Sequence, residues 1–130
     1  GVDSGTGTSC DDPGYVGTTQ APITAALSDA AAGDTVHICA GLYTYGDDGF
    51  EGTLPDGVTI EGDGVGATVL DGGGVNWQLT ITLANADDQL TIKDLTMQHG
   101  HALHQGGALE VDGGTTSIER VACPKPWPEM

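Results

Sequence analysis

The sequence predicts an all-β fold with one short helix, and three observations support this prediction. The chain of 130 residues contains 22 glycines, and each glycine inside a helix costs about 1 kcal/mol relative to alanine. The apolar residues fall in short runs bounded by Gly, Asp or Asn, as is typical of strands and turns. Several of these runs resemble one another, which indicates an internal repeat.

The N-terminal part of the chain predicts an arm followed by the helix. Residues 1–20 are rich in Gly, Thr and Asp without an apolar period, so they are predicted to form the arm. Pro22 suits the first turn of a helix. Apolar residues then recur at helical spacing at Ile23, Ala26, Leu27 and Ala30. The helix is therefore predicted over about residues 22–32, with Gly33 ending it.

The rest of the chain predicts short strands separated by turns. The candidates cover residues 35–39, 42–44, 58–61, 68–70, 78–83, 90–93, 95–98, 108–111 and 116–122. Three segments share one pattern, at residues 57–62, 89–94 and 115–120, and each is followed by a second short apolar run. The intervals between the three segments are unequal. Unequal intervals fit solenoid coils of three short strands rather than strict hairpins.

In a solenoid each inward side chain stacks on its equivalent in the next coil. Ile60, Ile92 and Ile118 occupy the same place in the three segments, so they are predicted to form one internal ladder. Ile81 and Leu109 are predicted to form part of another ladder. The side chains before the isoleucines, Thr59, Thr91 and Ser117, are predicted to point outward.

The charge of the chain excludes one class of partner. The formal net charge is −16, with 19 Asp plus Glu against 3 Lys plus Arg. Such a chain repels phosphate and is not expected to bind nucleic acid. No run approaches the ~18 apolar residues of a membrane span, so none is expected.

The acidic residues of the Gly-rich loops are candidate calcium ligands, because Ca²⁺ takes six to eight oxygens from flexible loops. The candidates are Asp47, Asp48, Glu51, Asp63, Asp71, Asp87 and Asp88. The alternative is that they are solvated carboxylates at turns, which keep an acidic surface hydrated. The sequence leaves calcium as the one candidate cofactor, with both interpretations open.

Three of the four histidines lie within six residues, at His99, His101 and His104. Neutral imidazoles at this spacing can share Zn²⁺ or Cu²⁺ if the loop wraps around the ion. The alternative is that they are polar residues of a turn.

Aromatic side chains near two loops are candidate sugar contacts. Trp77 follows a Gly-rich stretch, and Tyr43 and Tyr45 lie near another. Exposed aromatic faces beside acidic groups can stack on carbohydrate. The alternative is that these rings hold loops against the body of the domain.

The chain has three cysteines and no C-x-x-C pair, so a zinc knuckle or redox dithiol motif is not predicted. A bridge between Cys10 and Cys39 is feasible and would fasten the N-terminal arm to the first strong strand. Cys123 would then be left over, either buried or free to link two chains. The chain begins with Gly1 and is expected to be a processed piece of a longer protein.

Residues 23–43 resemble the opening of right-handed parallel β-helix proteins of the pectate-lyase-like superfamily, with a capping helix, a Gly-Asp-Thr turn and a Gly-x-Tyr. Residues 54–60 and 66–72 are similar to the first full coil of that family. Residues 100–109, with Gly-Gly-Ala-Leu, resemble the repeat of polymorphic outer-membrane and related surface proteins. The resemblance implies a short right-handed parallel β-helix of about three coils over residues 21–123, in an extracellular or cell-surface protein.

The resemblance also implies where chemistry would lie. Lyases of this superfamily combine a calcium-binding acidic cluster with a basic residue, and its hydrolases use paired carboxylates. Glu61, Lys93 and Glu119 are predicted on neighbouring coils of one face, and Arg120 is the single arginine. The leading expectation is a non-catalytic, carbohydrate-contacting module of a secreted or surface protein. The alternatives are a truncated polysaccharide lyase or glycoside hydrolase, and a purely structural adhesin repeat.

The proline-rich tail, residues 124–130, ends the strand pattern because proline cannot donate to a ladder. A solenoid that stops there would present unpaired backbone groups at its last coil. Either the proline-rich tail folds over that end or a second copy covers it, and an end-to-end homodimer through the C-terminal coil is predicted.

Overall fold

The structure is a computed structural model that describes residues 2–3, 10–11, 14–44, 50–71, 79–98 and 109–122. These residues are mostly β-structure with one short helix, as the sequence predicted. In chain order the elements are β1 (Val2–Asp3), α1 (Gln20–Ser28), β2 (Thr35–Ile38), β3 (Gly41–Thr44), β4 (Phe50–Leu54), β5 (Val58–Gly62), β6 (Thr68–Asp71), β7 (Leu79–Leu83), β8 (Gln89–Gln98), β9 (Leu109–Asp112) and β10 (Thr115–Ala122).

Nine of these strands stack side by side in three columns of parallel strands. The first column contains β2, β5, the first half of β8, and β10. The second contains β3, β6 and the second half of β8, which the end of β10 extends. The third contains β4, β7 and β9. The chain visits the columns in this order repeatedly, so residues about 30 apart in sequence become neighbours at the ~4.8 Å spacing of paired strands.

Aliphatic side chains stack along the inside of the first column, as the repeat predicted. The register aligns Val36, Ile60, Ile92 and Ile118. In the third column the predicted pairing was wrong: Ile81 lies opposite Val111, and Leu109 lies opposite Leu79. A shift of the register by two residues leaves every side chain on the same face of the sheet. The alternation of apolar and polar residues therefore predicts which face a side chain occupies, but not which residue lies opposite it.

The corner between the first two columns differs along the stack. Residues 63–67 form a loop between β5 and β6, whereas β8 and β10 make the same bend at a single residue each. Those residues, Asp94 and Arg120, have φ of 61° and 50°, in the left-handed region. The two candidates 90–93 and 95–98 are therefore halves of one strand that turns at Asp94.

Gly62 lies where this corner is tightest. A Cβ there would be 2.5 Å from the carbonyl oxygen of Asp94 and 2.7 Å from Cβ of Thr68. We expect Gly62→Ala to lower the free energy of unfolding by about 1–3 kcal/mol, because backbone and a buried side chain must move. Gly52→Ala is the matched control, since its Cβ would meet only the Phe50 ring, at 3.4 Å. Urea unfolding checks the pair, and equal losses would contradict the close approach at Gly62.

Helix α1 begins two residues earlier and ends about four residues earlier than predicted. Thr19 is its N-cap, with Oγ1 accepting the Ala21 amide at 3.4 Å. It ends at Ser28 rather than near residue 32, because Asp34 accepts the Ala31 amide at 2.8 Å and closes a separate turn. That side-chain bond competes with continued helix, as acidic side chains at turns commonly do.

Two strands were missed by the sequence analysis. β1 lies in the predicted arm and pairs antiparallel with β2, with Val2 fully buried. β4 contains Gly52 at its centre, and a glycine within a run of five weakens a strand pattern. In the structure the ring of Phe50 lies close to Gly52 and fills the space that its missing side chain leaves.

The two ends of the stack are covered differently. The buried residues of α1, Ile23, Ala26 and Leu27, join the core, and the helix contacts β1, β2 and β4. At the other end β10 pairs with β8 alone among the described strands. Ile118, the last rung of the first ladder, is 41% exposed.

Candidate functional site

The outer face of the first column carries a row of ionisable side chains. The register places them on successive strands in the order His37, Glu61, Lys93 and Glu119. The sequence analysis predicted the last three on one face and missed His37. The signal was available, because His37 follows Thr35 by two residues as Glu61 follows Thr59.

His37 lies between two carboxylates. Its Nδ1 is 3.0 Å from Oε2 of Glu61, and its Nε2 is 2.7 Å from Oδ1 of Asp63. The other oxygen of Asp63 accepts the amide of Ala40 at 2.7 Å. The three side chains are 23%, 28% and 37% exposed, so they form a partly shielded cluster that joins β2, β5 and the corner loop.

The cluster favours the protonated imidazole. Partial burial alone would lower the pKa of His37. The hydrogen bonds to Asp63 and Glu61, together with their negative charges, outweigh this effect, so the pKa lies above its ordinary value. An imidazolium can donate from both nitrogens at once, as this geometry requires for two charged carboxylates.

The raised pKa of His37 gives a pH-dependent stability. Below pH 6.5, the ordinary pKa of the unfolded chain, the protonated ring contributes fully, and the contribution is lost as pH rises through the higher folded-state pKa. We expect His37→Gln to cost about 1–2 kcal/mol at acidic pH and less at alkaline pH. Urea unfolding of both chains from pH 5 to 9 measures this. The difference in unfolding free energy between the two chains removes the contribution of the other histidines, which titrate in both. A difference that does not become smaller as pH rises would contradict the prediction.

A disulfide joins the N-terminal segment to this cluster. Cys10 and Cys39 are bonded, with a Cα–Cα distance of 5.7 Å, as the sequence analysis considered feasible. Sγ of Cys10 and one ligand atom each of His37 and Asp63 lie within 4.8 Å of one another. Within the described ranges this is the one group of three metal-ligating side chains at such distances.

Tyr43 lies beneath the cluster and is not an exposed sugar platform. Its ring is fully buried in the core, and its hydroxyl donates to the Cys39 carbonyl at 2.9 Å. Burial, with a smaller effect from the charge of Asp63, raises the pKa of Tyr43 to about 12. The candidate sugar contact at Tyr43 is therefore corrected to a core residue. Trp77 and Tyr45 lie outside the described residues.

The described calcium candidates do not converge. Asp63 contacts His37 and the Ala40 amide, as described above. Asp71 accepts a hydrogen bond from Nε2 of Gln98 at 3.0 Å, and Asp88 accepts one from the backbone amide of Asn85 at 3.1 Å. Glu51 and Asp87 are exposed. No three carboxylates of the described set bring ligand oxygens within 4.8 Å of one another. The remaining candidates, Asp47, Asp48, His99, His101 and His104, lie outside the described residues.

The single arginine, Arg120, is held in an ion pair. Nε and Nη2 of Arg120 donate to the two carboxylate oxygens of Asp94, at 2.5 and 3.2 Å. The hydrogen bond and charge of Arg120 lower the pKa of Asp94, and the same contact raises the pKa of Arg120. A guanidinium in this state is a structural cation and has no basic nitrogen to offer.

No protein-family model, curated protein or solved structure matches the chain. Among the residues that the structure describes, no helix is both long and apolar enough to cross a membrane.

Proposed function

We propose that the chain is a right-handed parallel β-helix module of a secreted or cell-surface protein, related to the pectate-lyase-like superfamily, and that it contacts carbohydrate without catalysis. The main support for the β-helix proposal is that the chain passes repeatedly through three columns of parallel strands. The Cys10–Cys39 bridge supports a location outside the reducing cytosol.

The contacts of His37 and Arg120 argue against catalysis by either side chain. General acid–base catalysis needs a group that can take or give a proton at the substrate. Both nitrogens of His37 face carboxylates, and Arg120 is paired with Asp94. These pairs join neighbouring strands, which is a structural use of charge.

The proposed carbohydrate face is the outer side of the first column. Beside the ionisable row runs a row of hydroxyls at ~4.8 Å spacing. Its members are Thr35, Thr59, Thr91 and Ser117. Hydroxyls and carboxylates can bind sugar hydroxyls by hydrogen bonds, and the net charge of −16 favours a neutral glycan over a polyuronate.

Affinity electrophoresis tests this face with soluble neutral glucans and with polyuronates in parallel gels. We expect retardation by a neutral glucan and a several-fold loss of affinity in Thr59→Ala/Thr91→Ala. Thr82→Ala is the control, because Thr82 is an exposed threonine of β7 in a different column. Retardation that survives the double substitution would contradict the assignment, and no retardation in any gel would favour a purely structural adhesin repeat.

A lyase or hydrolase is the second candidate, because Glu61, Lys93 and Glu119 align on one outer face. Incubation with pectate, alginate and chondroitin plus Ca²⁺ tests it through the absorbance of unsaturated uronates, with a reducing-sugar assay for hydrolysis. Turnover that is abolished by Lys93→Ala would replace the non-catalytic proposal.

The exposure of Ile118 supports the proposed end-to-end homodimer, since β10 presents both an apolar rung and a strand edge. We expect sedimentation equilibrium at tens of micromolar to give a dimer, and Ile118→Glu to give a monomer. A wild-type chain that is strictly monomeric would contradict this proposal.

Calcium binding stays a prediction for Asp47, Asp48 and Glu51. If Ca²⁺ binds the folded chain there, millimolar Ca²⁺ raises Tm and a chelator reverses the rise. An unchanged Tm would assign these side chains to solvated turns.

A further inference from the structure

The disulfide and the His37 cluster occupy the same corner of the molecule. Sγ of Cys10, a ring nitrogen of His37 and a carboxylate oxygen of Asp63 already lie within 4.8 Å of one another. Cys39 follows His37 by two residues, and its sulfur is bonded to that of Cys10. One sulfur, one imidazole and one carboxylate therefore meet at one place, and the sulfur of Cys39 is one bond away from that of Cys10.

We propose that reduction of the disulfide converts this corner into a Zn²⁺ site. The four ligands are Cys10, Cys39, His37 and Asp63. This donor set is one that Zn²⁺ accepts in tetrahedral geometry, with ligand atoms ~2.0–2.3 Å from the metal. The oxidised and metal-bound chains are then alternative states of one site.

The His37–Asp63 pair needs little movement to admit the ion, whereas the two sulfurs, once reduced, must separate to about 3.8 Å. Nε2 of His37 and Oδ1 of Asp63 are 2.7 Å apart. Two ligand atoms on a tetrahedral zinc are about 3.3 Å apart for N and O, so the two side chains must separate by only about half an ångström. The amide of Ala40 holds the other oxygen of Asp63 at 2.7 Å and fixes the direction of the carboxylate.

The surroundings also provide the outer contact that a ligating histidine needs. When Nε2 binds a metal, Nδ1 carries the proton and commonly donates it to a carboxylate, which fixes the ring and raises its basicity. Nδ1 of His37 is 3.0 Å from Oε2 of Glu61. Glu61 is thus a positioning residue for the proposed site.

The conversion balances with a dithiol as the reductant. One thiolate of the dithiol attacks the sulfur of Cys10, the more exposed residue of the pair, forms a mixed disulfide and releases the Cys39 thiolate. The second thiol closes the cyclic disulfide of the reductant and releases Cys10, so two electrons pass from the dithiol to the protein. Zn²⁺ then displaces the Nε2 proton of His37 where the ring is protonated, and one proton from each cysteine thiol that is protonated.

Cobalt provides the spectroscopic test, because tetrahedral Co²⁺–thiolate sites absorb intensely and Zn²⁺ displaces the cobalt. We use the full chain with Cys123→Ser, and with His99, His101 and His104 changed to Gln to remove competing ligands. After anaerobic dithiol reduction and removal of the reductant, we expect one Co²⁺ to bind with thiolate-to-metal bands. The oxidised chain should give none.

Variants separate the proposed site from adventitious thiol binding. We expect His37→Gln and Asp63→Asn each to weaken Zn²⁺ binding at least tenfold, and Glu61→Gln to weaken it about 10–100-fold. Glu119→Gln, at the far end of the same row, is the matched control and should bind as the parent does. Equal affinity in the parent and His37→Gln would overturn the proposal.

Circular dichroism covers the case in which reduction loosens the fold. If the reduced chain loses β-signal, we expect Zn²⁺ to restore it in the parent and not in His37→Gln, because metal binding then contributes to folding. Failure of Zn²⁺ to bind to, or to restore, the reduced parent would also overturn the proposal. None of these readouts depends on carbohydrate binding.

Discussion

Truncation of Ile92 to alanine is expected to lower the free energy of unfolding by about 3–4 kcal/mol, the cost of an isoleucine-sized cavity in a packed core. Ile92 is fully buried, and the register aligns it with Ile60 on one side and Ile118 on the other. Both neighbours lose contacts, and the paired strands cannot close the gap without breaking their hydrogen bonds. Urea unfolding followed by far-UV circular dichroism measures the loss.

Ile118→Ala is the matched control at protein concentrations low enough to keep the chain monomeric, because it removes the same atoms from the same ladder at an end that is 41% exposed in the single chain. Its expected cost is about 1 kcal/mol or less, since the side chain buries less surface. Ile92→Val, expected to cost about 1 kcal/mol, gives a measurable variant if Ile92→Ala does not fold. Equal losses at Ile92 and Ile118 would contradict the stacked order of the ladder.

Removal of the disulfide is expected to cost about 3–4 kcal/mol, the loop-closure value for a bridge that spans 29 residues. The closed loop contains α1 and β2, so the unfolded chain gains freedom over the segment that covers one end of the stack. We expect Cys10→Ser/Cys39→Ser to show a lower midpoint in guanidinium chloride, measured in chelator to exclude metal.

Cys123→Ser serves as the background for this comparison, because a third thiol permits disulfide exchange during unfolding. The oxidised single variant supplies the reference midpoint. A double variant that unfolds at that same midpoint would show that the bridge contributes nothing to stability.

The first ladder and the row of charges could be predicted from the sequence because they depend on repetition. Equivalent residues of the repeated segments, such as Ile60 and Ile92, or Glu61 and Lys93, are neighbours in the structure. The alternation within each segment also predicted the inward and outward faces. A repeat converts a long-range contact into a pattern that is visible along the chain.

The remaining features depend on contacts that a sequence pattern does not contain. The pairing of Ile81 with Val111 depends on the lengths of the loops, which determine the register between β7 and β9. β4 was missed because Phe50 compensates for Gly52 only when folded. His37 gains its partners from a neighbouring strand and a corner loop, 24 and 26 residues along the chain. A lone histidine on a strand predicts no such cluster.

The unequal ends of the stack also limit how many copies can assemble through β10. Helix α1 contacts β2 and β4, which begin the first and third columns, and β1 already pairs with the outer edge of β2, so that end differs from the β10 edge. Copies that meet through β10 would therefore meet by the same surface on both sides, around a twofold axis. Such a contact closes on itself. In the proposed dimer, growth through this edge would stop at two molecules.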